Sequence, residues 1–169
     1  TDYIGEAGWP SHGWPAGLFD ICMVEKPRAA FHRAMWNDEP MVRIAVRDNA
    51  LDIDHGRDLW QWPNMGAIWN FPRAYEGLVI EVNTTTNCER VALFHNGNEM
   101  GVRRTADYPN HTITWCLPYR RGTLVAKGIN GTDTVAVHEI RTAGDAVRLK
   151  TTADRGKLMA DGQDLSYVQ

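Results

Sequence analysis

The chain has 169 residues, of which 43% are hydrophobic and 23% are charged, with a formal net charge of −3 at neutral pH. This length is enough for one good hydrophobic core with additional segments. The interspersed charges lack the clustered basic face of a nucleic-acid site, and no apolar run approaches the roughly 20 residues that span a bilayer. We therefore expect neither a nucleic-acid partner nor membrane insertion.

The N-terminal 25 residues predict a long loop rich in glycine, proline and tryptophan. Trp9, His12 and Trp14 lie between its glycines. A loop of this length and composition is typical of a functional segment or of one without regular structure. The chain shows no initiator methionine and no signal-peptide pattern. We therefore expect a piece excised from a longer protein.

A short helix is predicted over residues 28–36, after Pro27 in the first-turn position. Ala30, Phe31, Ala34 and Met35 share one apolar face by their spacing. That face needs a partner, which we expect to be the following domain or a second copy of the chain. A homo-oligomer through this face is therefore one prediction of the sequence.

After Pro40 the hydrophobic period changes from 3.6 to 2, which predicts a half-buried strand around Val42, Ile44 and Val46. We place a domain boundary there. Trp60, Trp62 and Trp69 follow, interpreted as sandwich core or interdomain packing, with a sugar-binding platform as the alternative. The basic doublets at 103–104 and 120–121 are interpreted as solvated strand ends.

The strongest local signal is a β-hairpin at Asn96-Gly97, because an apolar run meets a dipeptide that tolerates positive φ. Short strands bounded by glycine, proline, asparagine or aspartate surround it. Regular short strands with turn signals between them predict a mainly β fold, an immunoglobulin-like β-sandwich. The strands expected around the hairpin are 78–82, 113–117, 124–129 and 135–140.

A linker is predicted at 143–145, and a second alternation begins at Val147. The predicted organisation is therefore residues 1–40 as one segment, 41–143 as the sandwich, and 144–169 as a linker with the first strands of a further domain. The cysteines show no C-x-x-C spacing, so a zinc site is not indicated. Free buried thiols and a bridge between Cys88 and Cys116 both remain open.

No cofactor or metal is expected. Asp52, Asp54 and Asp58 faintly suggest a calcium loop but lack the full set of ligands. The histidines have no spacing that suggests metal ligation.

Several motifs together resemble bacterial β-galactosidases of glycoside hydrolase family 2. The segment Asp-Tyr-Ile-Gly-Glu at 2–6, the two Trp-Pro pairs of the loop and Lys-Pro-Arg at 26–28 resemble the end of the catalytic (β/α)8 barrel. The hairpin 89–97, the pair 115–119 and 122–126, and Thr-Ala-Gly at 142–144 resemble the immunoglobulin-like domain that follows it. Residues 160–165 resemble the opening of a further immunoglobulin-like repeat. His95 and Cys116 stand where the family usually has apolar residues.

The resemblance implies a parent enzyme that hydrolyses β-galactosides or related β-glycosides with retention. Such enzymes need two carboxyl groups roughly 5–5.5 Å apart. The resemblance places both on earlier barrel strands, so we assign no catalytic residue in this chain and expect the chain alone to be inactive. It also implies a periplasmic or secreted bacterial protein that meets its carbohydrate substrate through the barrel.

The candidate substrate-binding residues all lie in the N-terminal loop. Asp2 and Glu6 either border a sugar site or satisfy a glycine-rich turn. Trp9, His12 and Trp14 either line the substrate at the carboxyl face of a barrel or pack within the loop. Two other functions remain open for the chain, a carbohydrate-binding module and a structural spacer.

Overall fold

A computed structural model describes residues 17–20, 23–47, 63, 65–148 and 150–166. One helix, α1, precedes two four-stranded antiparallel sheets that pack face to face. The strand orders are β2-β1-β3-β6 in the first sheet and β5-β4-β7-β8 in the second. The helix spans Pro27–Trp36, and the strands are β1 Val42–Arg47, β2 Met65–Gly66, β3 Val79–Thr86, β4 Arg90–His95, β5 Asn98–Arg104, β6 Thr112–Pro118, β7 Thr123–Asn130 and β8 Asp133–Arg141.

The predicted sandwich is confirmed. Strands β1, β2, β3 and β6 form the first sheet and β4, β5, β7 and β8 form the second, and the two strands of each of the β4–β5 and β7–β8 hairpins pair directly. At the first hairpin, Asn96 and Gly97 have φ of 51° and 80°. Positive φ at both central residues is the mark of a type I′ turn, which matches the twist of the flanking strands.

The core lies between the sheets and follows the period-2 alternation. On β6, Ile113, Trp115 and Leu117 are buried while Cys116 between them is exposed. Successive side chains of a strand point to opposite faces, so a cysteine next to Trp115 must face outward. Cys88 is buried, and both of these cysteines are free thiols, so the bridge between them is not formed.

The helix packs on the sandwich through small side chains. Ala30 and Ala34 are buried with Met41 in a small second cluster. The predicted apolar face therefore has a partner within the chain. Met35 is 44% exposed and Trp36 is 77% exposed, so the covered stripe is narrower than the sequence predicted.

One surface interpretation was wrong. Arg103 is not a solvated strand end, because its guanidinium lies 4.4 Å from the Trp115 ring centroid and donates to the hydroxyl of Tyr108 at 3.0 Å. It also donates to the carbonyl of Thr114. A cation–π contact and hydrogen bonds hold this arginine against β6, the edge strand of the first sheet.

Residues 143–148 form no strand, so the alternation at Val147 does not produce one in the described part of the segment. Residues 150–166 are largely exposed and contain local turns. The assignment of 144–169 to a further domain stays a prediction. No described helix has the length and apolar character needed to cross a membrane.

Candidate functional site at the helix–sandwich joint

The substrate residues predicted from sequence lie outside the described residues. Asp2, Glu6, Trp9, His12 and Trp14 all fall within 1–16, and Trp60 and Trp62 fall within 48–62. Their assignments stay predictions. One described region in which polar side chains join separate elements is the joint between α1 and the sandwich.

The joint begins with a tight reversal ahead of the helix. The Asp20 carboxylate accepts the N–H of Val24 at 2.8 Å, and the two residues also pair through Asp20 N and Val24 O at 3.0 Å. A bridge between Phe19 and Glu25 closes the reversal. An aspartate that accepts a backbone N–H a few residues on is a common turn-former, and here it places Glu25 beside the helix.

Glu25 connects three elements through ion pairs. Its carboxylate lies 3.2 Å from Arg33 on α1 and 3.6 Å from Arg43 on β1. All three side chains are partly exposed, so solvent screens these pairs and each contributes modestly. Their geometric effect is to fix the approach of the helix to β1.

His138 brings the second sheet into the same joint. Its Nδ1 accepts the backbone N–H of Ile44 at 3.1 Å, which requires that this nitrogen carry no proton. Burial and the neighbouring Arg43 lower the pKa of His138 below its ordinary value of 6.5, while Glu25 partly opposes this change. The neutral imidazole therefore ties β1 to β8.

The cavity inside the joint is too small for a sugar. It has a volume of about 40 Å³ and is bordered by Glu25, Arg43, Thr85 and His138. Small-molecule sites enclose roughly 300–1,000 Å³, whereas a space of tens of Å³ holds water. The arrangement is that of a structural joint.

Asn87 holds the segment between α1 and β1. Its Oδ1 accepts the N–H of Met41 at 2.7 Å, and its Nδ2 donates to the carbonyls of Asn37 and Glu39, both at 2.8 Å. One amide thus satisfies three backbone groups of a segment with no regular structure, as connecting segments require. Sequence reasoning missed Asn87, because its position in a turn after β3 gives no sign of contacts to a segment some fifty residues earlier.

Thr86 completes the grip from the buried side. Its hydroxyl donates to the carbonyl of Met41 at 2.6 Å and accepts the N–H of Cys88 at 2.9 Å. A fully buried hydroxyl must find such partners to avoid a desolvation cost. Thr86 therefore fixes the 86–88 turn and also holds the segment that leads into β1.

A larger depression, bordered by Asn87 and Cys88 of this turn, is open to solvent. It has a volume of about 750 Å³, and its charged lining includes Glu89 and Arg90. These two side chains are engaged with the β7–β8 turn, the Glu89 carboxylate accepting the N–H of Gly131 at 2.9 Å and Arg90 donating to the Gly131 carbonyl. Both side chains are therefore engaged with the β7–β8 turn.

The opposite end of the sandwich holds an aromatic cluster. Trp69 is fully buried against Tyr119 and Phe71, and its indole N–H donates to the carbonyl of Arg120 at 3.0 Å. The core interpretation of Trp69 is confirmed. His95 contacts the Trp69 ring edge-on, and its Nε2 lies 3.0 Å from the Arg120 carbonyl. The imidazole therefore fills the position where the family usually has an apolar residue, and its polar edge has a hydrogen-bond partner.

The described residues contain no candidate metal-binding site. Within the described ranges, no group of three or more histidine, cysteine, aspartate or glutamate side chains is placed to hold a metal ion. The described carboxylates of Glu25, Glu81 and Glu139 each pair with an arginine.

The chain is similar to known proteins over most of its length. A family described as a domain of unknown function (DUF4982) matches residues 77–136, from just before β3 into β8. The β-galactosidase BoGH2A of Bacteroides ovatus is 29% identical over 170 residues, which covers 99% of this chain and 17% of that protein.

Solved structures agree with the sequence match. A glycoside hydrolase family 2 member from Bacteroides cellulosilyticus superposes with a TM-score of 0.81 and 32% identity, covering 90% of this chain and 20% of that one. A β-glycosidase from Bacteroides vulgatus superposes with a TM-score of 0.72 and 26% identity, covering 99% of this chain and 18% of that one. The chain thus spans a fifth or less of the length of these relatives. By sequence and by fold, it corresponds to a small part of a glycoside hydrolase family 2 protein.

Proposed function

We propose that this chain is a non-catalytic accessory region of a β-galactosidase-like glycoside hydrolase, and that it holds the α1 segment and the sandwich in one fixed relation. The observation that carries this proposal is the Asn87 clamp, which binds three backbone groups of the connecting segment. A free linker would leave those groups to water. The extra ion pairs of Glu25 add a second attachment.

The parent protein is proposed to hydrolyse β-galactosides or related β-glycosides with retention. The names of two relatives, a β-galactosidase and a β-glycosidase, support this substrate class. Retention requires an acid/base and a nucleophile, and we assign neither to the described residues. The substrate would be bound through the rest of the parent protein, with Asp2, Glu6, Trp9, His12 and Trp14 as the proposed contribution of this chain.

The activity assay is direct. The purified chain, incubated with an aryl β-galactoside and an aryl β-glucoside, is expected to show no turnover above buffer, with BoGH2A as the positive control. Turnover that Glu6→Gln abolishes, and that Glu99→Gln on β5 leaves intact, would overturn the non-catalytic assignment.

A carbohydrate-binding module is the second candidate, and one observation favours it. Trp36 is 77% exposed and stacks on His32 with ring centroids 4.8 Å apart, which gives a flat aromatic surface of the kind that contacts sugar rings. Titration calorimetry with galactosides and β-glucans discriminates the two functions. We expect no heat of binding; binding removed by Trp36→Ala or by Trp60→Ala would favour the module.

Association and location complete the proposal. We propose that a second copy of the chain binds at the exposed residues Met35 and Trp36. Analytical ultracentrifugation that compares the Met35→Glu variant with the unchanged chain tests this, because the variant should lose the dimer.

We also propose a periplasmic or secreted location, supported by the bacterial source of the relatives. Fractionation of a producing bacterium, with detection in the cytoplasm alone, would contradict it.

A further inference from the structure

The chain contains the dipeptide Asn-Gly twice, at Asn96-Gly97 and at Asn130-Gly131. Each pair lies at a hairpin turn, between β4 and β5 and between β7 and β8. Asn-Gly is chemically special because the glycine N–H has little steric protection and can attack the asparagine side-chain carbonyl. The two sites differ in what surrounds those reacting groups.

At the second site, the carbonyl under attack is polarised. Asn130 ends β7, and its side-chain Oδ1 accepts the backbone N–H of Glu89 at 2.9 Å. An N–H aimed at a carbonyl oxygen stabilises the negative charge that develops there when a nucleophile adds, as the donors of an oxyanion hole do.

The nucleophile of the same site faces a base. The carboxylate Oε2 of Glu89 accepts the N–H of Gly131 at 2.9 Å. A carboxylate within hydrogen-bond reach of the proton to be removed meets the geometric requirement for a general base. Both contacts come from one residue, so the electrophile and the nucleophile are held toward the same side of the turn.

The turn is fixed around this pair. Gly131 has φ of 57°, Asn130 pairs with Asp133 across the hairpin, and Arg90 donates to the Gly131 carbonyl. Asn130 itself is in a strand, hence extended. Closure of the five-membered ring requires rotation about the backbone and side-chain bonds of Asn130.

We infer that Asn130-Gly131 is a self-deamidating site in which Glu89 acts on both reacting groups. The Gly131 nitrogen forms a bond to the Asn130 side-chain carbon, and Glu89 takes the proton from that nitrogen. The carbon–nitrogen bond of the side-chain amide then breaks, and the amide nitrogen leaves as ammonia with the proton that Glu89 returns. Water opens the resulting succinimide to aspartate or isoaspartate, so atoms and charge balance with water as the co-reactant.

The first site carries the same dipeptide in a different arrangement. Asn96 is in the left-handed region with φ of 51°. Its Nδ2 donates to the carbonyl of Arg121 at 3.1 Å, which retains the leaving group, and its Oδ1 accepts the N–H of Thr123 at 2.8 Å. Among the described residues, no carboxylate accepts a hydrogen bond from the Gly97 N–H. Asn96 is therefore an internal control with the same Asn-Gly dipeptide.

The test follows conversion at both sites in the whole chain. The folded protein is held in mildly alkaline buffer, and peptide mapping measures the exchange of amide for carboxyl at each asparagine, with hydroxylamine cleavage to trap the succinimide. We expect Asn130 to convert faster than Asn96, and faster than it does in the same chain unfolded in urea. Slower conversion of Asn130 in the folded chain than in the unfolded chain would show that the turn protects it, and would overturn the inference.

Glu89→Gln isolates the base. It keeps the backbone N–H on Asn130 and an oxygen that can accept from Gly131, but it cannot take a proton. We expect about tenfold slower conversion at Asn130, a conservative value for loss of a general base, and no change at Asn96. The matched control Glu99→Gln removes an exposed carboxylate beside the other hairpin and should change neither rate. An unchanged or faster rate at Asn130 in Glu89→Gln contradicts the role of Glu89.

Discussion

The segments that lead into and out of the sandwich are held very differently. The incoming segment, 37–41, gives its backbone groups to Asn87 and Thr86. The outgoing segment is held at Thr142, whose hydroxyl donates to the carbonyl of Trp69 at 2.7 Å, and at Ala143, whose N–H donates to Asn70 at 2.6 Å. Beyond it the contacts become local, and Val147 is 89% exposed.

The local contacts of the outgoing segment form a small independent turn. Asp161 accepts the N–H groups of Gln163 and Asp164, which lowers the pKa of Asp161 although its side chain is exposed. Arg155 pairs with Asp164 at 2.6 Å. These bonds span few residues and do not reach the sandwich. We therefore expect the sandwich to move with α1 and independently of residues 144–166.

The strongest way to break the outgoing attachment is Trp69→Ala. It removes a fully buried ring and the donor to Arg120, and a large-to-small change of this kind costs about 3–5 kcal/mol of unfolding free energy. Urea unfolding measures the loss, and hydrogen exchange should show the Thr142 N–H losing protection before that of Met41. Trp69→Phe keeps most of the ring, so a loss equal to that of Trp69→Ala would contradict the packing argument.

The incoming attachment is broken by Asn87→Ala. It leaves three backbone groups to water, and with about 0.5–1.5 kcal/mol for each hydrogen bond we expect a loss of about 1.5–4.5 kcal/mol in urea unfolding. The Met41 N–H should exchange faster while the Thr142 N–H does not. Asn70→Ala, which removes one bond at the outgoing side, is the matched control and should cost less. Equal losses would mean that the two attachments do not differ.

Lowering the pH should reduce the free energy of unfolding through His138, which ties β8 to β1 at the incoming side. Because its pKa is lowered in the folded chain, the unfolded chain binds a proton near pH 6.5 that the folded chain does not. Stability is therefore full above that pH and falls as the pH drops toward the folded-state pKa. Urea unfolding at about pH 7.5 and about pH 5 measures the change. His138→Gln keeps an acceptor for Ile44 without titrating there, so its stability should fall less; an equal fall would exclude His138 as the cause.

The smallest effect is expected from shortening the chain after Ala143. The described residues among those removed make exposed, local bonds, so the unfolding free energy should change by less than about 0.5 kcal/mol. Shortening after Arg141 also removes Thr142 and its bonds to Trp69 and Gly122, and should destabilise measurably. A large loss from the first truncation would show that residues 144–169 pack on the sandwich.

Much of the sandwich was predictable because its signals are local. The alternation of Val42, Ile44 and Val46 and the Asn96-Gly97 turn each specify their structure within a few residues, and both predictions are confirmed. β3 extends to Thr86, beyond the predicted end at Val82, because Thr84 and Thr86 are buried with their hydroxyls bonded. Polar residues in a strand hide it from hydrophobic periodicity. The same alternation at Val147 forms no strand in the described region, where Val147 is 89% exposed.

The sequence by itself determined the alternating strands, the turn at Asn96-Gly97 and the short helix after Pro27, since these depend on backbone preferences and on periods of a few residues. Only the tertiary structure decided that Asn87 would clamp a segment far away in the chain, that Arg103 would lie on Trp115, and that His138 would hold β1. The physical reason is that a polar side chain has several possible partners of similar strength. Which partner it binds depends on what the packed sheets bring within about 3 Å of it.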